Sequence, residues 1–209
     1  MPSKEFGTLE LSIVDLKSGL MDFAPSTTEP YSKNDLLKCQ AFVVFAHAEM
    51  QVYWESIARR ILQEAEGRWK NGSSIDRVIA TLIAFRRPER ASVPNDPFRP
   101  HDGGNLGKII EEAIKSHTAA IADNNGIKRS NIAELLMPLG LLPGDFVEKL
   151  LIQLDQAGIR RGAMVHKSSK VSLPNIRDPF ADEMADIDDL ISEIRVFDNQ
   201  IASLGLLSV

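Results

Sequence analysis

Apolar side chains recur every third or fourth residue along most of this chain, which is the spacing of one face of an α-helix. No segment alternates apolar and polar residues with the β-branched enrichment typical of strands. Two glycines, Gly67 and Gly158, are expected to end the helices before them. The pattern predicts an all-α fold, with helices over 9–21, 33–66, 73–85, 106–124, 130–140, 143–158, 160–170 and 180–201.

The long helix that begins after Ser32 is predicted to lie at the centre of the fold. Ser32 and Asp35 have the spacing of a capping box at its start, and apolar residues surround much of its cylinder. We expect residues 1–32 to form an N-terminal helix and a linker. Residues 33–209 should form one helical bundle with additional peripheral helices, in which 127–158 is a candidate small helical insertion.

The composition and net charge of the chain argue against some classes of binding partner. The chain has 209 residues, of which 44% are hydrophobic and 25% charged, as in ordinary globular proteins. Its net charge of −5 argues against binding duplex DNA over an extended surface. The single Cys39 falls among apolar positions of the long helix, which predicts a buried thiol and suits the cytoplasm. With no run of about 18 apolar residues and no leader pattern, we expect no membrane association.

The segment 178–198 has eight carboxylates and one basic residue, Arg195. Such a run can resemble a metal cluster, but the apolar stripe beside it favours a solvated helix face. The chain has no Cys and His spacing of a zinc site and no glycine-rich loop with lysine of a nucleotide site. We therefore expect neither a metal nor a cofactor.

The segment 158–167 combines the groups of a metal-free phosphodiester site. Arg160 and Arg161 can hold a phosphate, His166 can move a proton, and Gly162 lets a backbone approach. If this helix begins after Gly158, its free N–H groups and dipole also favour phosphate.

On a helix over 160–170, the side chains fall into stripes four residues apart. Gly162, His166 and Lys170 share one stripe, so the glycine leaves room for a ribose phosphate beside the imidazole. Arg160 and Lys167 lie on the neighbouring stripe. The arrangement predicts a small, local nucleic-acid site.

Three stretches of the chain together resemble one family. They are Phe42 to Glu55 on the long helix, Asn124 to Leu136, and Leu154 to His166. Their residues and order resemble the RiboL-PSP-HEPN branch of the HEPN superfamily, whose signature is an Arg-x4-6-His motif. The family usually has a polar residue after the motif arginine, where this chain has Gly162. Either Arg160 or Arg161 fits the spacing, so the register of the motif stays open.

The resemblance implies a HEPN-like helical bundle and an endoribonuclease. It makes His166 and Arg161 catalytic, and it places two copies of the motif across a shared cleft in a homodimer. The substrate would be single-stranded or looped RNA, and an antitoxin protein is a further candidate partner. The remaining site residues are expected to bind phosphate or RNA: Arg160, Gly162, Lys167 and Lys170.

Two other readings stay open. Gly162 in the polar position and the acidic total charge favour a non-catalytic HEPN module that binds RNA or a protein. A helical adaptor, whose final amphipathic helix docks a partner, is an alternative of another class.

Four more titratable residues have weaker signals. Glu49 is expected either to pair with the arginines at 160 and 161 as a supporting residue or to lie at the rim of the core. His47 is expected to be a satisfied core histidine. His101 and His117 have no acid–base partners nearby in the sequence, so we expect both at the solvated surface.

Overall fold

The computed structural model describes residues 2–26, 28, 30–72, 75–86, 104–165 and 176–207, and these residues form helices with no strand. The predicted all-α fold is therefore confirmed. The α-helices are α1 (Lys4–Leu20), α2 (Lys33–Gly72), α3 (Arg77–Arg86), α4 (Gly104–Ala122), α5 (Arg129–Leu136), α6 (Glu148–Val165) and α7 (Ala185–Ser203). Short 3-10 turns at Met137–Leu139 and Pro143–Asp145 follow α5, and a π-helical turn at Pro179–Met184 leads into α7.

Helix α2 is the axis of the bundle, and α1, α3, α4, α5 and α6 all pack against it. Its start matches the predicted capping box, because the Asp35 N–H donates to Ser32 Oγ at 3.2 Å and the Ser32 N–H donates to an Asp35 carboxylate oxygen at 3.2 Å. The core around α2 is closed by large side chains with no exposed surface: Trp54, Phe6, Phe42 and Phe197. The predicted central position of this helix is confirmed.

Two predicted helix ends are wrong. Helix α2 continues through Gly67 to Gly72, and α6 continues through Gly158 to Val165. A glycine inside a helix costs only about 1 kcal/mol, which packing of the apolar face readily offsets. The start predicted at residue 73 for the third helix lies outside the described residues, and Asp76 caps α3 by accepting the Ile79 N–H at 2.9 Å.

A buried carboxylate ties α1 to the rest of the bundle. Asp198 of α7 is 1% exposed and accepts three hydrogen bonds. The donors are the Ser3 N–H at 2.6 Å, the Ser3 hydroxyl at 2.6 Å and the Tyr53 hydroxyl at 2.9 Å. Burial and this neighbouring carboxylate together raise the pKa of Tyr53 well above its ordinary value. The N-terminal helix is therefore fixed by polar contacts as well as by its apolar face.

The structure corrects one histidine and confirms the cysteine. His117 is completely buried, and its Nε2 donates to the Leu135 carbonyl at 3.0 Å, so the predicted surface position is wrong. Cys39 is also completely buried, as predicted, and burial raises the pKa of its thiol to about 12. His101 lies outside the described residues. Within the described helices, none combines the length and the hydropathy needed to cross a membrane.

Candidate functional site

The two arginines of the predicted motif lie in the last turns of α6. Because α6 runs unbroken through Gly158, no helix begins before Arg160, and the predicted helix N-terminus at this place is wrong. The nearby helix end is a C-terminus, whose dipole favours cations rather than phosphate. His166, Lys167 and Lys170 lie outside the described residues, so their roles stay predictions.

Arg160 is engaged by a buried carboxylate. Its Nε donates to Glu183 Oε2 at 3.1 Å, and its terminal nitrogen contacts the other carboxylate oxygen. Glu183 is 1% exposed and also accepts the Arg177 backbone N–H at 3.2 Å. The predicted solvated face of the acidic segment is therefore wrong at Glu183. Both carboxylate oxygens are occupied, so this ion pair holds α6 against the turn that leads into α7.

Arg161, one residue further along α6, faces a different environment. It lines a pocket of about 300 Å³ between α2, the loop before α5, and α6. The described part of the chain contains no carboxylate within ion-pair distance of Arg161. The pocket wall has two cations, two amides, one imidazole and no carboxylate, and it consists of His47, Asn125, Gly126, Ile127, Lys128, Asn131, Gly158, Arg161 and Gly162.

The pocket wall includes the first turn of α5. Lys128 is the N-cap of α5 in extended conformation, and its own side chain accepts no hydrogen bond from this helix end. Asp155 accepts the Arg129 N–H at 3.0 Å, whereas the N–H groups of Ser130 and Asn131 have no hydrogen-bond acceptor in the described ranges. A helix N-terminus with open N–H groups favours an anion. The first turn of α5 therefore borders the pocket, beside the Asp155 carboxylate.

Glycines at two positions allow this wall to form. A Cβ at Gly158 would lie 2.6 Å from Lys128 Cγ, so only glycine lets the lysine stem cross α6 this closely. A Cβ at Gly126 would lie 3.1 Å from the Asn131 side-chain oxygen. At Gly162 a Cβ would meet no atom of the described residues within 4 Å, and the space for a ribose phosphate beside His166 stays a prediction.

His47 of α2 stands between the two arginines. It lines the Arg161 pocket on one side, and on the other it lines a smaller cavity of about 50 Å³ that Arg160 and Glu183 also border. Burial, and after it the charge of Arg161, lower the pKa of His47 to about 4. The imidazole is therefore neutral at pH 7.

The prediction for His47 is confirmed in part. The residue is only 4% exposed, as expected of a core position, but it is not satisfied. Neither ring nitrogen has a hydrogen-bond partner among the residues with described positions. Over the described part of the chain, the fully enclosed side-chain atoms without a partner are Trp54 Nε1, Gln153 Oε1 and Arg177 Nε. The His47 nitrogens are not among them, so they keep contact with the space of the cavities.

Glu49 does not reach either arginine. It lines a separate cavity of about 190 Å³ that Lys4 and Thr8 of α1 also border. The pairing expected with Arg160 is wrong, because Glu183 takes that place. The alternative expectation agrees with the structure, since Glu49 is half-buried at the rim of the core.

Sequence reasoning missed Lys128, Asn125 and Asn131 as pocket residues. The signal available was the Asn124-Asn-Gly126 run followed by two basic residues. That run was part of the family resemblance, but no chemistry was attached to it. Over the described ranges, no three His, Cys, Asp or Glu side chains are placed to hold a metal ion together.

Comparisons with family models, with curated proteins and with solved structures find no match to this chain.

Proposed function

We propose that this protein is a metal-independent endoribonuclease of the HEPN type, which holds the scissile phosphate of single-stranded RNA in the Arg161 pocket. The observation that supports this most is the composition of the pocket wall. Arg161, Lys128 and two asparagines surround a space of about 300 Å³ with no carboxylate in the lining. Cations, amides and open helix N–H groups are the donors that bind phosphate oxygens in proteins.

The charge of the pocket suits one or two phosphates of a single strand and not a long duplex. The whole chain has a net charge of −5, so attraction to RNA has to be local. Arg161 and Lys128 supply two positive charges at the pocket. For a single strand, neutralising about two phosphates corresponds to a log–log salt slope of about −1.4. We therefore expect weak, short-range binding that depends only mildly on salt.

The two arginines have different roles in this proposal. Arg160 is held by the buried carboxylate of Glu183, which leaves Arg161 as the motif arginine. This assignment gives the motif its four-residue spacing to His166. His166 would exchange protons with the reacting oxygens, since imidazole titrates near neutral pH. Attack of the ribose 2′-oxygen on phosphorus gives a 2′,3′-cyclic phosphate and a 5′-hydroxyl end.

No metal is required in this mechanism, because arginine stabilises the charge that develops on the phosphate. We propose that the protein acts in the cytoplasm on single-stranded or looped RNA and associates as a homodimer. An antitoxin protein that blocks the pocket is part of the same proposal. Light scattering tests the dimer directly, with an expected mass of twice the 23.1 kDa of the chain.

The test of the proposal is cleavage of mixed RNA in EDTA by wild-type protein beside His166→Ala. We expect fragments with wild type and none with the variant, at equal helical content. Binding of RNA without cleavage by wild-type protein would replace the enzyme by a non-catalytic RNA-binding module. If the protein neither binds nor cleaves RNA, the helical adaptor is the alternative that stands.

A further inference from the structure

His47 is a buried histidine with no hydrogen-bond partner among the described residues, and it lies in a pocket wall that also contains two cations and two amides. It is 4% exposed, yet its ring nitrogens face cavity space and no described residue bonds to them. A ring nitrogen that faces a pocket with two cations in its wall is placed to bond with an anionic ligand held in that pocket.

We infer that His47 is a proton-transfer residue of this pocket, accepting the proton of the ribose 2′-hydroxyl next to the phosphate bound by Arg161. The inference rests on the proposed function and adds a catalytic residue to it. It involves His47, Arg161 and Lys128, which line one pocket of a single chain.

The chemistry balances without an added reactant. The 2′-hydroxyl gives its proton to a His47 ring nitrogen while its oxygen forms a bond to phosphorus. The bond from phosphorus to the 5′-oxygen breaks, and the leaving oxygen takes a proton from His166. His47 then loses its proton to solvent through the open side of the pocket, and His166 takes up a proton from solvent, which together restore the starting state.

The charges around His47 change when a phosphate binds in the pocket. From α6 it faces Arg161 in one cavity and Arg160 in the other, and Lys128 lies across the larger cavity. Glu183 and Asp186 border the smaller cavity, where Arg160 and Arg177 pair with Glu183 and Arg177 pairs with Asp186. Burial is the main cause of the lowered pKa of His47, and the charge of Arg161 is the second; a bound phosphate offsets that second contribution, so the imidazole is a stronger base with substrate than without it.

This arrangement also changes the argument for a shared site. The family resemblance implies two copies of the motif across a cleft, so that each active site takes groups from two chains. His47 supplies a second imidazole within the same chain, on a helix distant in sequence from the motif. Cleavage by this route proceeds in a monomer.

The experiment compares wild type, His47→Gln and His47→Ala on a single-stranded RNA in EDTA between pH 5 and 9. A positioned acid or base contributes about 100-fold or more, so we expect turnover by His47→Gln to fall at least about 100-fold at pH 7. Binding of a 2′-O-methyl RNA should change less than about threefold. Imidazole added to His47→Ala should restore turnover, and the restored rate should rise with the basicity of substituted imidazoles.

The matched control is His117→Gln, which removes a buried imidazole that bonds to Leu135 and lies outside the pocket. We expect this variant to melt earlier and to keep the wild-type pH profile. Wild-type cleavage with unaltered turnover and pH profile in His47→Gln would overturn the role of His47 alone. Intact RNA with wild-type protein would overturn both this inference and the proposed function.

Discussion

Substitutions of the two adjacent arginines of α6 should affect different properties: one should lower stability and the other should weaken RNA binding. Arg160 closes an ion pair with Glu183, whose side chain is 1% exposed, whereas Arg161 faces the open pocket without a carboxylate partner in the described ranges. We therefore expect Arg160→Ala to destabilise the fold. Arg161→Ala should leave the fold intact and weaken RNA binding.

The size of the Arg160 effect follows from the burial of its partner. Removing one member of a buried pair costs about 3–5 kcal/mol. Arg160 keeps 26% of its side chain exposed, and Glu183 retains Arg177, so the lower value of about 3 kcal/mol applies. For a chain of this length that cost lowers Tm by roughly 6–12 °C. Losing Arg161 should alter the unfolding free energy by about 0.5 kcal/mol or less, as for most surface substitutions.

The assay is urea unfolding at pH 7 together with fluorescence anisotropy of a labelled single-stranded RNA. Glu183→Gln, alone and combined with Arg160→Ala, completes a double-mutant cycle. We expect the two substitutions to be non-additive by about 2 kcal/mol, because each removes the same pair. Equal stability of Arg160→Ala and wild type, or a Tm loss confined to Arg161→Ala, would refute the division of roles.

Three further predictions concern two glycines of α6, the imidazole of His47 and the buried carboxylate of Asp198. Gly162→Ala should raise the unfolding free energy by up to about 1 kcal/mol. Gly158→Ala, which pushes Lys128 aside, should raise the unfolding free energy less and weaken RNA binding. Thermal melting measures the first effect, and fluorescence anisotropy with labelled RNA measures the second. The lowered pKa of His47 makes protonation favour the unfolded chain, so stability present above pH 6.5 is lost as pH falls to about 4. That loss is about 3 kcal/mol, and urea titrations of His47→Gln should lack it. Asp198→Ala should cost about 2–4 kcal/mol because three hydrogen bonds end on this buried carboxylate, and a wild-type Tm would contradict that.

Local periodicity was sufficient to predict the helices and the centre of the fold. The capping box at Ser32 and Asp35 and the burial of Cys39 follow from residues close in sequence, and both are confirmed. The helix ends predicted at Gly67 and Gly158 are wrong, because a single glycine rarely ends a helix when the segments on both sides of it have the same apolar face.

The site depends on contacts between distant segments, and these have no local signal. Glu183 is buried because Arg160 and Arg177 come from both sides of it, although its own neighbours form an acidic run. His47 lies on α2, and its neighbour Arg161 comes from α6. The pattern around each residue alone therefore predicted a solvated acid and a core histidine.

The chemistry of the RNA ends tests the central claim most directly. Wild-type protein is incubated in EDTA with a single-stranded RNA, and with the same RNA carrying 2′-deoxyribose throughout, and the products are analysed by mass spectrometry. Attack by the 2′-oxygen in the Arg161 pocket predicts 2′,3′-cyclic phosphate and 5′-hydroxyl ends from the first substrate and no cleavage of the second. Products with 5′-phosphate ends, cleavage of the deoxy strand, or intact RNA would contradict the account.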